Sequence, residues 1–412
     1  MNIKLKKYID IILILIFSTA LYKTHAADAS KDFQPLIGFK AYLSLETWSE
    51  KNRYNASHFL LVPMYYIYQN NNTSLIKKID QNMNNFLEKE AKNLKFNITS
   101  ERLPIWQYLY FVSEYNNLSS RKNMKLNNFL IESVEKNWNS PSWQWGKPTG
   151  FPTLKEKLEW KLNASKKEGY KRALVDEELF FLGVAANLSL SSPKNKILKE
   201  INNISLQLFE KKSSFNDEGW LYDVGVFDNY PDYAYAGYTN IKDISSPKPE
   251  KNIAIDSSHF FRIPKILLSL QKAYKEDSPE YIVYQKYRIG LENQFFNKVL
   301  VIKNNNIYLT NYMDGKNGIF RWEYPTLGKG RGYQPFGLTP SFGMGWWSFL
   351  PNTKIKTTYK DYYKQITKNL NIIECNTAME NIIKNKEIEN PLLFQNCMYS
   401  YNAFLASQLN KF

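Results

Sequence analysis

The chain is short of the residues that most often announce a chemistry. It holds two cysteines and three histidines among 412 residues. A zinc site takes three or four ligands at definite spacing, so no metal is expected, and no cofactor. Gly328-Lys329-Gly330-Arg331-Gly332-Tyr333 does not spell the dinucleotide pattern G-x-G-x-x-G. A G-x-S-x-G nucleophile elbow is absent as well. Beyond the N-terminal segment no apolar run approaches the ~20 residues that span a bilayer, so no stable transmembrane segment is expected. Period-two alternation is scarce, with its best example at Asn306–Tyr312.

The N-terminal segment carries Lys4, Lys6 and Lys7, an apolar run from Ile11 to Phe17, and Thr24-His25-Ala26 before Ala27. That order of charged, apolar and small residues predicts a cleavable secretory signal over residues 1–26. The protein is therefore expected to be secreted or periplasmic, with residues 27–412 forming one domain. Outside the cytoplasm, Cys375 and Cys397 are expected to pair as a disulfide.

The formal charge is +15, and removing four lysines (Lys4, Lys6, Lys7, Lys23) and Asp10 with the signal leaves +12. The lysines are scattered among asparagines and isoleucines, without the basic cluster that tracks a phosphate backbone, so nucleic acid is not an expected partner. A diffusely positive surface suits an anionic polysaccharide.

Apolar residues return at three and four positions in Leu75–Leu87, Pro104–Tyr115, Leu126–Trp138, Leu154–Leu162, Leu174–Leu190, Ile197–Leu208, Pro264–Tyr274, Tyr281–Val299 and Tyr359–Ile372. This is the helical period and predicts an all-α protein. A weak repeat accompanies it. Ser57-His58-Phe59-Leu60-Leu61-Val62-Pro63 and Ser258-His259-Phe260-Phe261-Arg262-Ile263-Pro264 share a pattern, and Arg102-Leu103-Pro104 repeats part of it. Proline suits a helix's first turn, so each segment is expected to be a loop leading into a core helix that starts at the proline.

Two long segments break the helical pattern. Ser213–Ser257 contains Asp217-Glu218-Gly219-Trp220-Leu221-Tyr222-Asp223 and the run Asp228–Tyr238, with Asp232, Tyr233, Tyr235 and Tyr238. Disordered segments are poor in aromatics, so this one is expected to be ordered. Rings beside carboxylates suit sugar recognition; the plainer reading is that the rings pack the loop onto the helices. The second segment runs from Asn311 through Asp314-Gly315, Asn317-Gly318, Arg321, Trp322, Glu323 and Arg331 to Tyr333 and Gly337. Asp-Gly and Asn-Gly supply positive φ at turns. Arg321 or Arg331 could clamp a carboxylate in bidentate fashion.

Between them lies Asp256-Ser257-Ser258-His259-Phe260-Phe261-Arg262. An imidazole exchanges protons near neutral pH, and an arginine nearby holds a carboxylate. The plainer reading makes Asp256 or Ser257 a helix cap, with His259 filling a polar hole at the helix start. His58, in the matching position of the repeat, lacks an arginine three residues on and is expected to be structural. Paired carboxylates are the rival chemistry. Asp176 opens an apolar helix, where it can simply meet the helix dipole or can act as a proton donor. Its candidate partners are Glu46, Asp223, Asp232, Asp256, Asp314 and Glu323.

Nine or more helices with aromatic loops resemble the layout of the (α/α) toroid carbohydrate-active enzymes, which include glycoside hydrolases, polysaccharide lyases and epimerases. The resemblance implies an (α/α) toroid or helical-hairpin barrel, with long aromatic loops and at most a short β-hairpin. It also implies action on an acidic polysaccharide by β-elimination. An arginine or asparagine would neutralise the uronate carboxylate, His259 or a tyrosine such as Tyr233, Tyr235 or Tyr238 would take the C5 proton, and a tyrosine would protonate the leaving oxygen. Arg262, Trp220, Tyr222, Asp223, Asp314, Trp322, Glu323 and Tyr333 are the further residues expected at the substrate. The alternatives are a glycoside hydrolase using two carboxylates and a noncatalytic glycan-binding or assembly protein.

Overall fold

The structure, a computed structural model, describes residues 34–120, 123–144, 147–148, 150–240, 242, 244, 246–321 and 332–412. The expected signal, 1–26, lies outside them. The asparagine-rich composition finds a local use at helix starts. Asn72, Asn123, Asn195, Asn371 and Asn390 each accept a hydrogen bond from a first-turn N–H, which satisfies donors that a helix leaves open.

The fold is all-α, with 62% helix and 6% strand among the described residues. The helices are α1 (Ile37–Leu43), α2 (Arg53–Gln69), α3 (Thr73–Lys89), α4 (Thr99–Leu118), α5 (Met124–Trp138), α6 (Leu154–Asn163) and α7 (Asp176–Ser189), followed by α8 (Lys196–Lys212), α9 (Ser257–Phe260), α10 (Ile263–Lys272), α11 (Pro279–Gln294), α12 (Lys354–Thr367), α13 (Ile372–Asn385) and α14 (Pro391–Gln408). The described residues hold three antiparallel hairpins where at most one was expected: β1–β2 (Trp143–Gln144, Lys147–Pro148), β3–β4 (Ser213–Asn216, Gly219–Tyr222) and β5–β6 (Leu300–Lys303, Asn306–Leu309). Asn304 and Asn305 both take positive φ between β5 and β6, the turn geometry that matches strand twist.

Five helices form a closed circuit of contacts. α2 packs on α4, α4 on α7, and α7 on α10; α10 meets the 3₁₀ turn Trp346–Phe349, which touches α14, and α14 returns to α2. The circuit helices α2, α7 and α14 are apolar on most faces, because each is covered on several sides. Six of the remaining helices lie against them: α3 on α2, α5 on α4 and α7, α8 on α7, α11 on α10, and α12 and α13 on α14. One contiguous core runs from Ile37 to Leu409. Inside the circuit, Lys265 of α10 pairs with Glu114 of α4, and both are buried. Tyr65 of α2 donates to Glu114 at 2.6 Å, and Asn187 of α7 donates to it at 3.0 Å. The pair is thereby partnered from all four helices, as a buried charge requires.

The prolines correct one expectation. Pro264 does sit in the first turn of α10, but Pro63 and Pro104 lie inside α2 and α4. Pro63 has no N–H to give Phe59, four residues back. Asn402 of α14 reaches the Phe59 carbonyl instead, at 3.4 Å, and this side-chain bond compensates the helix interior. Cys375 of α13 and Cys397 of α14 are joined by a disulfide.

The two long aromatic loops share a small core of their own, built from Tyr233, Ala236, Ile253, Tyr312, Phe320 and Leu338. Gly318 of the second loop lies so close to the first that a Cβ there would collide with the Ala236 carbonyl. Gly318 thus serves close approach and not the positive φ expected of it, which falls at Gly315 (88°).

Candidate functional site

The site begins at Asp256. Its backbone pairs with Tyr312 and its side chain caps α9, with Oδ1 accepting from the N–H groups of Ser258 and His259 at 3.1 and 2.9 Å. The second oxygen, Oδ2, lies 2.7 Å from His259 Nδ1 and accepts from the Tyr233 hydroxyl at 2.9 Å. The carboxylate that caps the helix is therefore also the one that holds the imidazole. Burial alone would raise its pKa. The adjoining imidazole, the Ser258 hydroxyl and Arg321 outweigh burial and hold it well below the usual carboxylate range.

His259 is the open member of the pair, with 31% of its side chain exposed against 2% for Asp256. Its Nε2 lies 3.3 Å from an Arg321 amine. A guanidinium only donates, so this contact suits the tautomer in which Nδ1–H binds Asp256 and Nε2 accepts. The ring is oriented by a buried carboxylate and turns a basic nitrogen toward an arginine. Asp176 Oδ2 lies 3.9 Å from the same nitrogen.

Arg321 is positioned by the loop packing just described. Its backbone N–H donates to the Asp232 carbonyl at 2.8 Å and its Nε donates to the Asp232 carboxylate at 2.8 Å. It takes φ 56°, a conformation costly to a residue that carries a Cβ and retained where surrounding contacts enforce it.

Arg262 follows His259 by three residues but turns into the circuit, where it is buried. It donates to Asp176 at the start of α7, and at 3.4 Å to the Tyr54 hydroxyl and to His58 Nε2. Gln107 of α4 also donates to His58 Nε2, at 2.8 Å. His58 therefore accepts from two donors, and burial followed by the Arg262 charge lowers its pKa well below 6.5. The three repeat segments thus meet at one end of the circuit: His58 from the first, Arg262 from the third, and Arg102 of the second, which pairs with Glu177 next to Asp176.

Other expected site residues are placed elsewhere. Trp220 is fully buried between Phe209, Phe260 and Tyr287. Tyr222 packs on Phe209, and Asp223 is buried in ion pairs with Arg172 and Lys212. Trp220 and Tyr222 are occupied by packing, because β4 is buried along its whole length, and Asp223 is occupied by its ion pairs. Tyr233 is buried, and burial with Asp256 beside it raises its pKa far above the ordinary phenol, so it serves as a donor to Asp256 and not as a base. Asp314 caps its own turn, accepting from the N–H groups of Lys316 and Ala254. Tyr235 and Tyr238 lie against each other with ring centroids 6.1 Å apart, and Tyr238 donates to the Ser246 carbonyl. Tyr333 pairs with Phe320 by backbone and ring. Trp322, Glu323 and Arg331 lie outside the described residues.

Tyr54, Gln107 and Asp232 complete the arrangement. Tyr54 and His58 stand four residues apart on α2 and so share a face, a signal hidden because no apolar stripe marks the start of α2 in the sequence. No family model matches the chain, no curated protein matches it, and no solved structure matches it.

Proposed function

We propose that the protein is an exported carbohydrate-active enzyme that removes the C5 proton of a uronate in an acidic polysaccharide. The observation that carries this reading is the Asp256–His259 pair, with Nδ1 on the buried carboxylate and Arg321 3.3 Å from Nε2. A base beside a cation is what abstraction next to a carboxylate requires: the cation steadies the charge that develops on the carboxylate as the proton leaves. Nε2 takes the C5 proton, the electron pair forms the C4–C5 double bond, and the C4–O bond breaks. The leaving oxygen takes a proton from a hydroxyl, a role we assign to half-buried Tyr54 beside Arg262. On this reading the closed circuit of helices is an (α/α) toroid whose loop end holds the site, and the positive surface gathers the polyanion.

The test is the ultraviolet absorbance of unsaturated uronate while the protein meets a panel of uronate polysaccharides. The expected result is a rise that falls roughly 10²–10⁴-fold in His259→Ala. New reducing ends without the absorbance would overturn elimination in favour of hydrolysis by carboxylates such as Asp176 and Asp232. Saturable binding without either product would make the protein a glycan-binding one.

A further inference from the structure

A second set of charges stands apart from His259. Asp176 and Glu178 are two residues apart at the start of α7, so their side chains leave the helix on nearly opposite sides. Asp176 turns to Arg262; Glu178 turns to Lys157 and Lys161 of α6, at 2.7 Å from each. Beside them Asp223 pairs with Arg172 and with Lys212, the latter at 2.8 Å. Lys157, Lys161, Arg172 and Lys212 are all at least nine-tenths buried, as are Glu178 and Asp223.

Four buried cations therefore surround the buried carboxylates Glu178 and Asp223, and Glu177 adds its charge beside Lys157. The neutral Ala173 and Arg172 carbonyls accept from Lys161 and Lys212, and among the described residues the buried Arg172 Nε has no acceptor. Burial without enough counter-charge lowers the Lys212 pKa and brings Lys161 down to about 7.

A cavity of about 290 Å³ opens onto this surplus. Lys161, Arg172 and Lys212 line it from within, and the exposed Lys166 and Lys211 stand at its rim; Asp223 is the acid in its wall. Among the described residues no carboxylate pairs with either rim lysine. Ser213, whose Oγ accepts from Trp220 Nε1 at 2.7 Å, and Ser214, whose hydroxyl donates to the Leu221 carbonyl at 3.4 Å, complete the lining.

We propose that this cavity binds a compact divalent oxyanion, sulfate or phosphate, free or as an ester on a larger molecule. Five cations, Lys161, Lys166, Arg172, Lys211 and Lys212, line the cavity against one lining carboxylate, Asp223, an excess that suits a dianion better than a singly charged carboxylate. The site stands or falls separately from the His259 chemistry, because its test reads binding alone.

Thermal unfolding of the full chain, at fixed ionic strength, is compared in sodium chloride, acetate, sulfate and phosphate, and the oxyanions are then titrated calorimetrically. Sulfate or phosphate is expected to raise the midpoint above chloride and acetate. Lys166→Glu/Lys211→Glu, which alters two exposed positions and spares the core, is expected to weaken binding about tenfold or more. Tighter binding of glucose 6-phosphate or galactose 6-sulfate than of the free ions assigns the ligand to an ester; the reverse order assigns it to the ion. Equal midpoints in all four salts overturn the site, as does an undiminished sulfate response in the rim variant. A response to acetate equal to that of sulfate overturns the divalent assignment.

Discussion

Asp256 and His259 are three residues apart, and a single carboxylate both starts their helix and orients the imidazole. Asn in place of Asp256 keeps a capping oxygen and removes the charge. Asp256→Asn is therefore expected to retain the helical circular dichroism of the parent while uronate cleavage drops roughly 10²–10⁴-fold. Retained activity would show that His259 works without Asp256.

The Arg262–Asp176 contact ties α10 to α7, and the adjacent carboxylate holds the arginine pKa above its ordinary value against the opposing effect of burial. Asp176→Asn leaves Arg262 buried with Tyr54 and His58 as its remaining partners. Unfolding in urea is expected to show a loss of about 3 kcal/mol, largely recovered when Arg262→Met is added. Additive losses in the double variant would mean that the two side chains are not coupled.

Acid should act on the fold through His58. Its pKa is lowered in the folded protein, first by burial and then by Arg262, whereas the unfolded chain takes up that proton near the ordinary value of about 6.5. Below that pH the unfolded state binds more protons, so stability falls as pH falls from 6.5 toward 5, by up to about 1.4 kcal/mol per unit. His58→Gln is expected to flatten this window in chemical unfolding; parallel curves for the two proteins would count against the assignment.

The disulfide links α13 to α14 across a sequence separation of 22. Loop-closure entropy gives it about 3 kcal/mol of stabilisation. Unfolding with and without reductant, beside Cys375→Ser/Cys397→Ser, measures the difference. A lowering under reductant that is also seen in the double variant would assign the effect elsewhere.

Helices whose apolar residues fall on one side are readable from the chain, as α3, α8 and α12 illustrate. The circuit helices α2 and α14 are not, because a helix covered on most faces carries no stripe. Pro63 further disguises α2, since its compensation comes from Asn402, a residue far away in sequence. At the site, Asp256, His259, Asp176 and Arg321 stand out by residue type and loop context. Their grouping depends on Gly318 lying against Ala236, a tertiary contact that no local pattern encodes. Trp220 and Tyr222 show the converse: aromatic composition marks their loop, but the β3–β4 hairpin turns the rings inward.

The circuit closes when α14 meets α2, and the bond from Asn402 to Phe59 spans 343 positions. Synthesis proceeds from the N-terminus, so the greasy flank of α2 exists long before the helix that covers it. Contacts of such sequence separation also slow folding. The nascent chain therefore passes through an extended period of stickiness, and its handling in the cell is a matter of chaperone supply as much as of final stability.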